Sequence, residues 1–360
     1  MQYRPVKGIS QSVSLREAIL KGISPDGALY IPESLPKIPR AFFNNISGMT
    51  LPEIGYVVAN MFFGADIPPR QLKELAERAL DFEIPFYETE PNKFTLDLTK
   101  GPTRNYNDLG ARFMAAITET LFPARQLNVL VATSSNVGNA VADAFSRIAG
   151  ATTYVVSPSG SLSPQRHDEL FAYGDRVVPV EVAGTFPECQ AMVRDAILDP
   201  ELQREVPLLS ANSVNVAILL PRVIVFFYAY ARLAALNRPL DNVVIATPTE
   251  NLGNLTAAVI ARKMGLPVGR FIAILQNDLD AADIINESRL VALLGDENGS
   301  IEITEPDTHP LRPEEICITM ITDTPGTQTA HRHRHQVRIG VSESALRKVI
   351  LSRTSSIQTP

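Results

Sequence analysis

The sequence predicts an α/β protein built on a parallel sheet. Strand-like apolar runs, glycine-containing turns and helical segments alternate between residues 128 and 275. The predicted strands are 128–132, 152–156, 176–182, 243–246 and 271–275, and the predicted helices between them include 140–148 and 255–264. This alternation favours parallel strands covered by helices on both faces.

Composition indicates an ordinary globular protein. The chain has 360 residues, 45% hydrophobic and 20% charged, with a formal net charge of −6, so two or so domains and no nucleic-acid partner are expected. The longest apolar run, 223–230, is short for a membrane span, and residues 1–10 lack the apolar core of a signal peptide. Cys189 and Cys317 form no metal or redox spacing. We expect reduced buried thiols, no membrane partner and a cytoplasmic location.

The two ends of the chain are less regular than its middle. Near the N-terminus we expect a helix at 14–21, a turn and extended piece at 25–32, and a helix at 69–80. Near the C-terminus we expect a mobile connection at 296–312, a helix at 342–352 capped by Ser342, and a frayed tail at 354–360.

A histidine-rich run stands apart from these segments. Residues 331–335 read His-Arg-His-Arg-His, so in a strand the three imidazoles share one face. A solvated edge strand is the favoured interpretation, and a weak metal or anion site is the alternative. No metal site is assigned.

Two strand–loop–helix junctions, at 133–139 and 247–254, are candidates for ligand binding. Such loops lie at the carboxyl ends of parallel strands, and the helices that follow present free backbone N–H groups to anions. The alternative is a well-capped turn without a ligand.

The segment 101–114, GPTRNYNDLGARFM, resembles the cofactor-attachment motif of the threonine synthase family, close to GPTLAFKDFGGRFM. In that family the central lysine forms a Schiff base with pyridoxal phosphate (PLP). The corresponding residue here is Asn107, whose amide nitrogen is not a nucleophile. We therefore expect no covalently bound cofactor.

Further segments extend the resemblance over roughly residues 10 to 280. They are the opening VSLREAILKGISPDGALYIPESLP, the run 209–215 and the run 265–273. The resemblance implies the fold type II PLP-enzyme fold, which is similar to the tryptophan synthase beta subunit, with parallel sheets flanked by helices. It divides the chain into an N-terminal α/β domain at 1–92, a core at 93–280 and a divergent, shortened C-terminal region at 281–360.

The resemblance also implies which residues line the cleft. The substrate-binding candidates are Ser134, Ser135, Asn136, Val137, Gly138, Ser210, Asn212 and Asn215. The cofactor-binding candidates are Thr249, Glu250, Asn251, Leu252, Gly253 and Asn254. Glu250 replaces a glycine of the family's phosphate loop, and a carboxylate there opposes phosphate binding.

The family's substrate is phosphohomoserine, and three cations implied by the resemblance are missing. The corresponding residues are Ser161, Asp168 and Ile218. The downstream segments of the family are not found after Asp278. Near the vacated lysine position, the catalytic candidates are Asn107, Asp108, Arg104 and Lys100, of which only Lys100 carries an amine.

Three hypotheses follow for function. The first is a threonine synthase-like pseudoenzyme that binds a small molecule in the cleft and serves as a sensor or partner, with a homodimer or a protein partner possible. The second is an active PLP-dependent lyase of altered chemistry that uses Lys100 or a noncovalent cofactor. The third is a PLP-independent enzyme acting through polar groups such as Asn107, Asp108 and Arg104.

Overall fold

The structure is a computed structural model. It describes residues 1–6, 9–123, 126–134, 136–212, 215–249, 253–275, 301–304, 311–312, 315–322 and 337–357. For residues 249, 275, 301–304 and 354–357 it describes the backbone alone.

The chain forms two compact units, each assembled from separate segments. Unit 1 comprises Met1 with residues 32–110 and 219–323, and unit 2 comprises residues 2–31, 111–218 and 324–360. The linear division drawn at residues 92 and 280 therefore describes the sequence and not these units.

The strands are β1 (Gln2–Pro5), β2 (Val13–Ser14), β3 (Tyr30–Pro32), β4 (Phe86–Glu90), β5 (Lys93–Asp97), β6 (Leu127–Ala132), β7 (Ala151–Pro158), β8 (Val177–Val182), β9 (Leu208–Ser210), β10 (Val243–Thr249), β11 (Arg270–Leu275), β12 (Ile301–Thr304), β13 (Ile316–Ile321) and β14 (Val337–Ile339). The helices are α1 (Leu15–Lys21), α2 (Arg40–Asn45), α3 (Leu51–Phe63), α4 (Pro69–Ala79), α5 (Asn107–Leu121), α6 (Val137–Ser146), α7 (Pro164–Phe171), α8 (Phe186–Leu198), α9 (Pro200–Glu205), α10 (Val216–Leu219), α11 (Val223–Ala234), α12 (Gly253–Lys263) and α13 (Glu343–Ile357).

Unit 1 is built on a six-stranded sheet with the order β12-β11-β10-β13-β5-β4. Its pairs are parallel except for the β4–β5 hairpin at one edge. Apolar side chains of β10, β11 and β13 form a buried cluster in the middle of the sheet. Strands β5 and β10 are both neighbours of β13 and parallel to it, so their carboxyl ends lie at the same edge, about 10 Å apart.

Unit 2 is built on a five-stranded sheet with the order β14-β8-β7-β6-β9, in which every pair is parallel. Its central strands carry side chains that are buried on both faces, as β6 and β8 show along their whole lengths. Helices α8 and α13 contribute to the same apolar cluster as these strands. Continuous apolar strands are expected when both faces of a parallel sheet are covered.

Local sequence signals account for several helix ends. Ser14 and Glu17 form a reciprocal capping box at the start of α1, and Thr50 and Glu53 form another at α3. The predicted helix at 69–80 is confirmed as α4, and its apolar residues Leu72 and Leu75 are buried.

The structure corrects the sequence predictions at three points. The single predicted sheet is two sheets, because strand-like patterns identify strands but not their partners. The C-terminal helix continues to Ile357, where a frayed tail from 354 was expected. The apolar run at 223–230 belongs to a 19-residue helical run, Val216–Ala234, that is long and apolar enough to cross a membrane, but 89% of its most apolar window is buried inside the protein. That burial identifies a core helix more securely than its length does.

Candidate functional site

The loop that carries Asn107 begins at the carboxyl end of β5. After a short 3₁₀ turn, Leu98–Lys100, the chain folds back on itself through a backbone hydrogen bond from Arg104 N to Gly101 O. Tyr106 N donates to Thr322 O, just beyond β13, which ties the loop to the neighbouring strand. Helix α5 then begins at Asn107. Asn107, which the resemblance places at the family's lysine position, is therefore the first residue of a helix at the carboxyl edge of the unit 1 sheet.

Both ends of the Asn107 amide are held. Its Nδ2 donates to Asn105 Oδ1 at 2.6 Å, and its backbone N donates to the same oxygen at 2.8 Å. Its Oδ1 accepts a hydrogen bond from Arg222 Nη2 at 2.8 Å. Asn105 is buried, while Asn107 is half-buried, so the cluster reaches the protein surface at Asn107. Two hydrogen bonds fix the side chain and a third fixes its backbone N, and the amide is not a nucleophile.

Arg222 is a buried cation beside this amide. It is 2% exposed and lies in the 3₁₀ turn, Leu220–Arg222, that precedes α11. Its guanidinium lies 5.2 Å from the centre of the Tyr106 ring, which is cation–π distance. Among the described residues, neither its Nε nor the Tyr106 hydroxyl has a hydrogen-bond partner. Burial raises the pKa of Tyr106 to about 12, against the opposing pull of the Arg222 charge, so the phenol keeps its proton.

Neither Arg222 nor Tyr106 is among the site residues that the sequence predicts. A signal for Arg222 was present, because a single charged residue interrupts an otherwise apolar run, LLPRVIVFF. A charge inside an apolar run costs free energy unless another group compensates for it. Such a pattern indicates a residue with a functional role.

The other three candidates near the lysine position are placed differently from Asn107. Asp108 is buried and accepts hydrogen bonds from Thr103 N at 2.8 Å and Thr103 Oγ1 at 2.6 Å, so it shapes the loop. Arg104 is exposed and has a left-handed backbone, with φ of +57°. The Lys100 ammonium lies 3.3 Å from Asp97 Oδ2 and its side chain is 55% exposed.

The second unit 1 loop joins β10 to α12 at the same sheet edge. Three residues, Glu250, Asn251 and Leu252, separate the strand from the helix and lie outside the described residues. At the start of α12, Gly253 is half-buried and Asn254 Nδ2 donates to Pro248 O at 3.0 Å, which closes the junction. The backbone of Thr249 ends β10. A short strand-to-helix junction of this kind can hold an anion.

The loop predicted to bind substrate lies in unit 2, between β6 and α6. Ser134 is exposed, Asn136 and Val137 are half-buried, and Ser135 lies outside the described residues. Gly138 is required by packing, because a Cβ there would lie 2.6 Å from Val155 Cγ1 and 2.7 Å from Thr133 Cγ2.

The asparagines after β9 stabilise unit 2. Asn212 Oδ1 accepts from Ala132 N at 2.9 Å and so ties the loop to the end of β6. Asn215 is fully buried, and its Nδ2 donates to Ile19 O and to Ser210 O. Ser210 is 5% exposed. Asn215 thus ties α1 to β9, and its predicted substrate contact stays a prediction.

The three positions where the resemblance implies lost cations also belong to unit 2. Ser161 and Asp168 are exposed, and Ile218 is 2% exposed. The histidine run at 331–335 lies outside the described residues. Within the described part of the chain, no group of three histidine, cysteine, aspartate or glutamate side chains is placed to hold a metal ion. Cys189 and Cys317 are free, buried thiols, as predicted.

Comparison with known families is decisive about descent. A family model described as threonine synthase N terminus matches residues 2–80, and one described as pyridoxal-phosphate dependent enzyme matches residues 94–351, well over half of the chain. The chain belongs to the threonine synthase family of PLP-dependent enzymes. Threonine synthase from Haemophilus influenzae is 33% identical over 268 residues, which cover 74% of this chain and 62% of that protein. Threonine synthase from Escherichia coli strain K12 is 32% identical over 273 residues, 76% of this chain and 63% of that protein.

In these alignments the chain spans about three fifths of the length of its relatives. Solved structures extend the likeness in fold to nearly the whole chain. Threonine synthase from Escherichia coli gives a TM-score of 0.87 at 23% identity and covers 98% of this chain and 100% of that one. The PLP-bound threonine synthase from Brucella melitensis gives 0.79 at 19% identity, with 98% and 99% covered. The predicted fold type II architecture is thus confirmed.

The residues at the start of α5 do not fit a covalently held PLP. A Schiff base requires a primary amine, and Asn107 supplies an amide whose two ends are bound. Lys100, seven residues earlier, has an amine that pairs with Asp97 at the end of β5. A buried guanidinium next to the lysine position also opposes a second cation there.

Proposed function

We propose that this threonine synthase homologue is a pseudoenzyme that binds a small molecule without forming a Schiff base. The observation that carries the proposal is the Asn107 amide, which is hydrogen-bonded to Asn105 at one end and to Arg222 at the other. This network fills the lysine position with a fixed neutral group. The loss of three implied cations at Ser161, Asp168 and Ile218 supports the same interpretation, because phosphate recognition depends on such charges.

The experiment is to mix the purified protein with PLP, record its visible absorbance, and reduce it with borohydride before measuring its intact mass. A pseudoenzyme gives no Schiff-base absorbance band and no added mass. The family relative from Escherichia coli is the positive control. A covalent adduct on the wild type would contradict the proposal.

If Lys100 forms the Schiff base instead, the same assay has a different expected result. The adduct would form in the wild type and disappear in Lys100→Arg. The structure favours this alternative less, because the Lys100 ammonium is paired with Asp97 and its side chain is 55% exposed. An ammonium that is paired with a carboxylate is not a nucleophile.

A further inference from the structure

Arg222 is a buried positive charge without a counter-ion among the described residues. Its side chain is 2% exposed, and within the described part of the chain its hydrogen bond goes to the neutral oxygen of Asn107. The nearby carboxylate of Asp108 accepts hydrogen bonds from Thr103 and makes no ion pair with it. Buried charges are normally paired, because an isolated one has a large desolvation cost. An arginine kept in this state calls for a compensating anion.

The donors that remain beside Arg222 point to the same conclusion. Its Nε–H is buried without a partner among the described residues, and so is the hydroxyl of Tyr106, whose ring lies 5.2 Å from the guanidinium. Asn107 is not the acceptor for these two donors. Its oxygen already accepts from Arg222 Nη2, and its Nδ2 donates to Asn105. The guanidinium and the neighbouring hydroxyl therefore each have a donor without an acceptor among the described residues. A negatively charged acceptor would satisfy both donors and neutralise the charge of Arg222.

We infer that Arg222 and Tyr106 form the binding site of a small carboxylate at the vacated lysine position. This inference rests on the proposed function, because a lysine-bound cofactor would occupy the same place. A carboxylate matches the site better than a phosphate, since its single charge neutralises one guanidinium, whereas a phosphate dianion would leave a net buried charge. Asn107 is half-buried, whereas Arg222 and Tyr106 are buried, so Asn107 is the part of the site nearest to solvent.

Arg232 offers a matched control within the same unit. It lies ten residues further along the chain, in α11, and its guanidinium is 5.1 Å from the Tyr228 ring. Its Nε is also buried without a partner among the described residues, but its Nη2 donates to the backbone oxygen of Met49 at 2.9 Å. Arg232 is half-buried, so Arg232→Gln removes a less buried arginine with the same kind of ring contact, away from Asn107.

The test is a calorimetric titration at neutral pH and constant ionic strength, on protein whose absorbance shows no bound PLP. The probes are sodium acetate, inorganic phosphate and sodium chloride. We expect acetate to bind and Arg222→Gln to weaken it by at least about tenfold, as the loss of a charge-assisted hydrogen bond predicts. Tyr106→Phe should weaken acetate roughly threefold or more, and Arg232→Gln should leave it unchanged.

Three outcomes would overturn the inference. They are unchanged acetate binding in Arg222→Gln, an equal loss in Arg232→Gln, and binding of phosphate in place of acetate. If Arg222→Gln does not fold by circular dichroism, Tyr106→Phe and Arg222→Lys decide, and unchanged acetate binding in both rejects the site. A visible absorbance band with PLP would contradict the proposed function separately, since the acetate titration uses no cofactor.

Discussion

Two arginines of unit 1, the buried Arg222 and the half-buried Arg270, are held in opposite ways. Arg270, at the start of β11, donates from Nε and Nη2 to the two carboxylate oxygens of Glu315 at 2.8 and 2.7 Å. Arg222 donates one hydrogen bond to a neutral amide and keeps an unpartnered Nε among the described residues. An arginine that is paired with its own counter-ion, as Arg270 is with Glu315, can have a purely structural role. A buried arginine without a counter-ion lowers the free energy of unfolding, and such destabilising residues are usually retained for function.

The strongest test of this comparison is the same substitution at both sites. Arg270→Met should lower the free energy of unfolding by about 3 kcal/mol, because it leaves Glu315 buried and unpaired. Urea denaturation followed by circular dichroism measures the change. A loss below about 1 kcal/mol would show that the Arg270–Glu315 pair is not the structural element we describe.

The Arg270–Glu315 pair also predicts a pH dependence. Hydrogen bonding from Arg270 holds the pKa of Glu315 below its ordinary value of 4.5, even though burial acts in the other direction. Because the folded-state pKa is the lower one, this stabilisation is present above pH 4.5 and is lost as the pH falls through the depressed pKa. Glu315→Gln should make the unfolding free energy less steep in this acidic range, and an unchanged slope would contradict the assignment.

Asn107→Lys should destabilise the protein and fail to restore threonine formation. A lysine ammonium near Arg222 places two positive charges within a few ångströms, at a cost of about 2 kcal/mol after relaxation. The double variant Asn107→Lys with Arg222→Gln should recover most of that loss. Neither is expected to make threonine from phosphohomoserine, because the implied phosphate cations remain absent. Threonine production by the single variant would show that the other departures are tolerated.

Asn107→Asp should make Arg222 resemble Arg270. An aspartate oxygen in the place of Asn107 Oδ1 would accept from the guanidinium and supply the missing charge. We expect a gain of about 1 kcal/mol in unfolding free energy, reduced by the loss of the Asn105 contact, together with loss of acetate binding. If acetate still binds with unchanged affinity, the ligand is not neutralising Arg222.

The smallest expected effect is that of Arg222→Met on stability. Removing an uncompensated buried charge relieves desolvation, while the lost Asn107 hydrogen bond and cation–π contact act against that gain. The unfolding free energy should change by less than about 1 kcal/mol, in contrast to Arg270→Met. Equal losses at the two sites would remove the distinction between them.

Much of the fold could be predicted because it depends on local patterns. The spacing of nearby residues predicts the helices α1 and α4, and strands that alternate with helices along the chain predict parallel pairing. The motif at 101–114 identified the position of Asn107 for the same reason, since a short contiguous segment carries it. That no Schiff base with PLP forms at Asn107 is our proposal, and the absorbance and borohydride experiments test it.

Other features depended on contacts between distant segments. The sequence could not show that β5 joins β10 and β13 in one sheet while β6 joins β7 and β9 in another, because strand patterns do not name their partners. It also could not show that the Asn215 side chain donates hydrogen bonds to backbone oxygens of both α1 and β9.

The sequence by itself determined the strand and helix types and the family, and it placed an amide, Asn107, where the resemblance implies a lysine. The tertiary structure decided what surrounds that amide. Arg222 lies 115 residues from Asn107 along the chain, yet the two side chains are in hydrogen-bond contact. Burial and the absence of a counter-ion among the described residues are properties of this packing, because the free energy of a charge depends on the groups that fold around it.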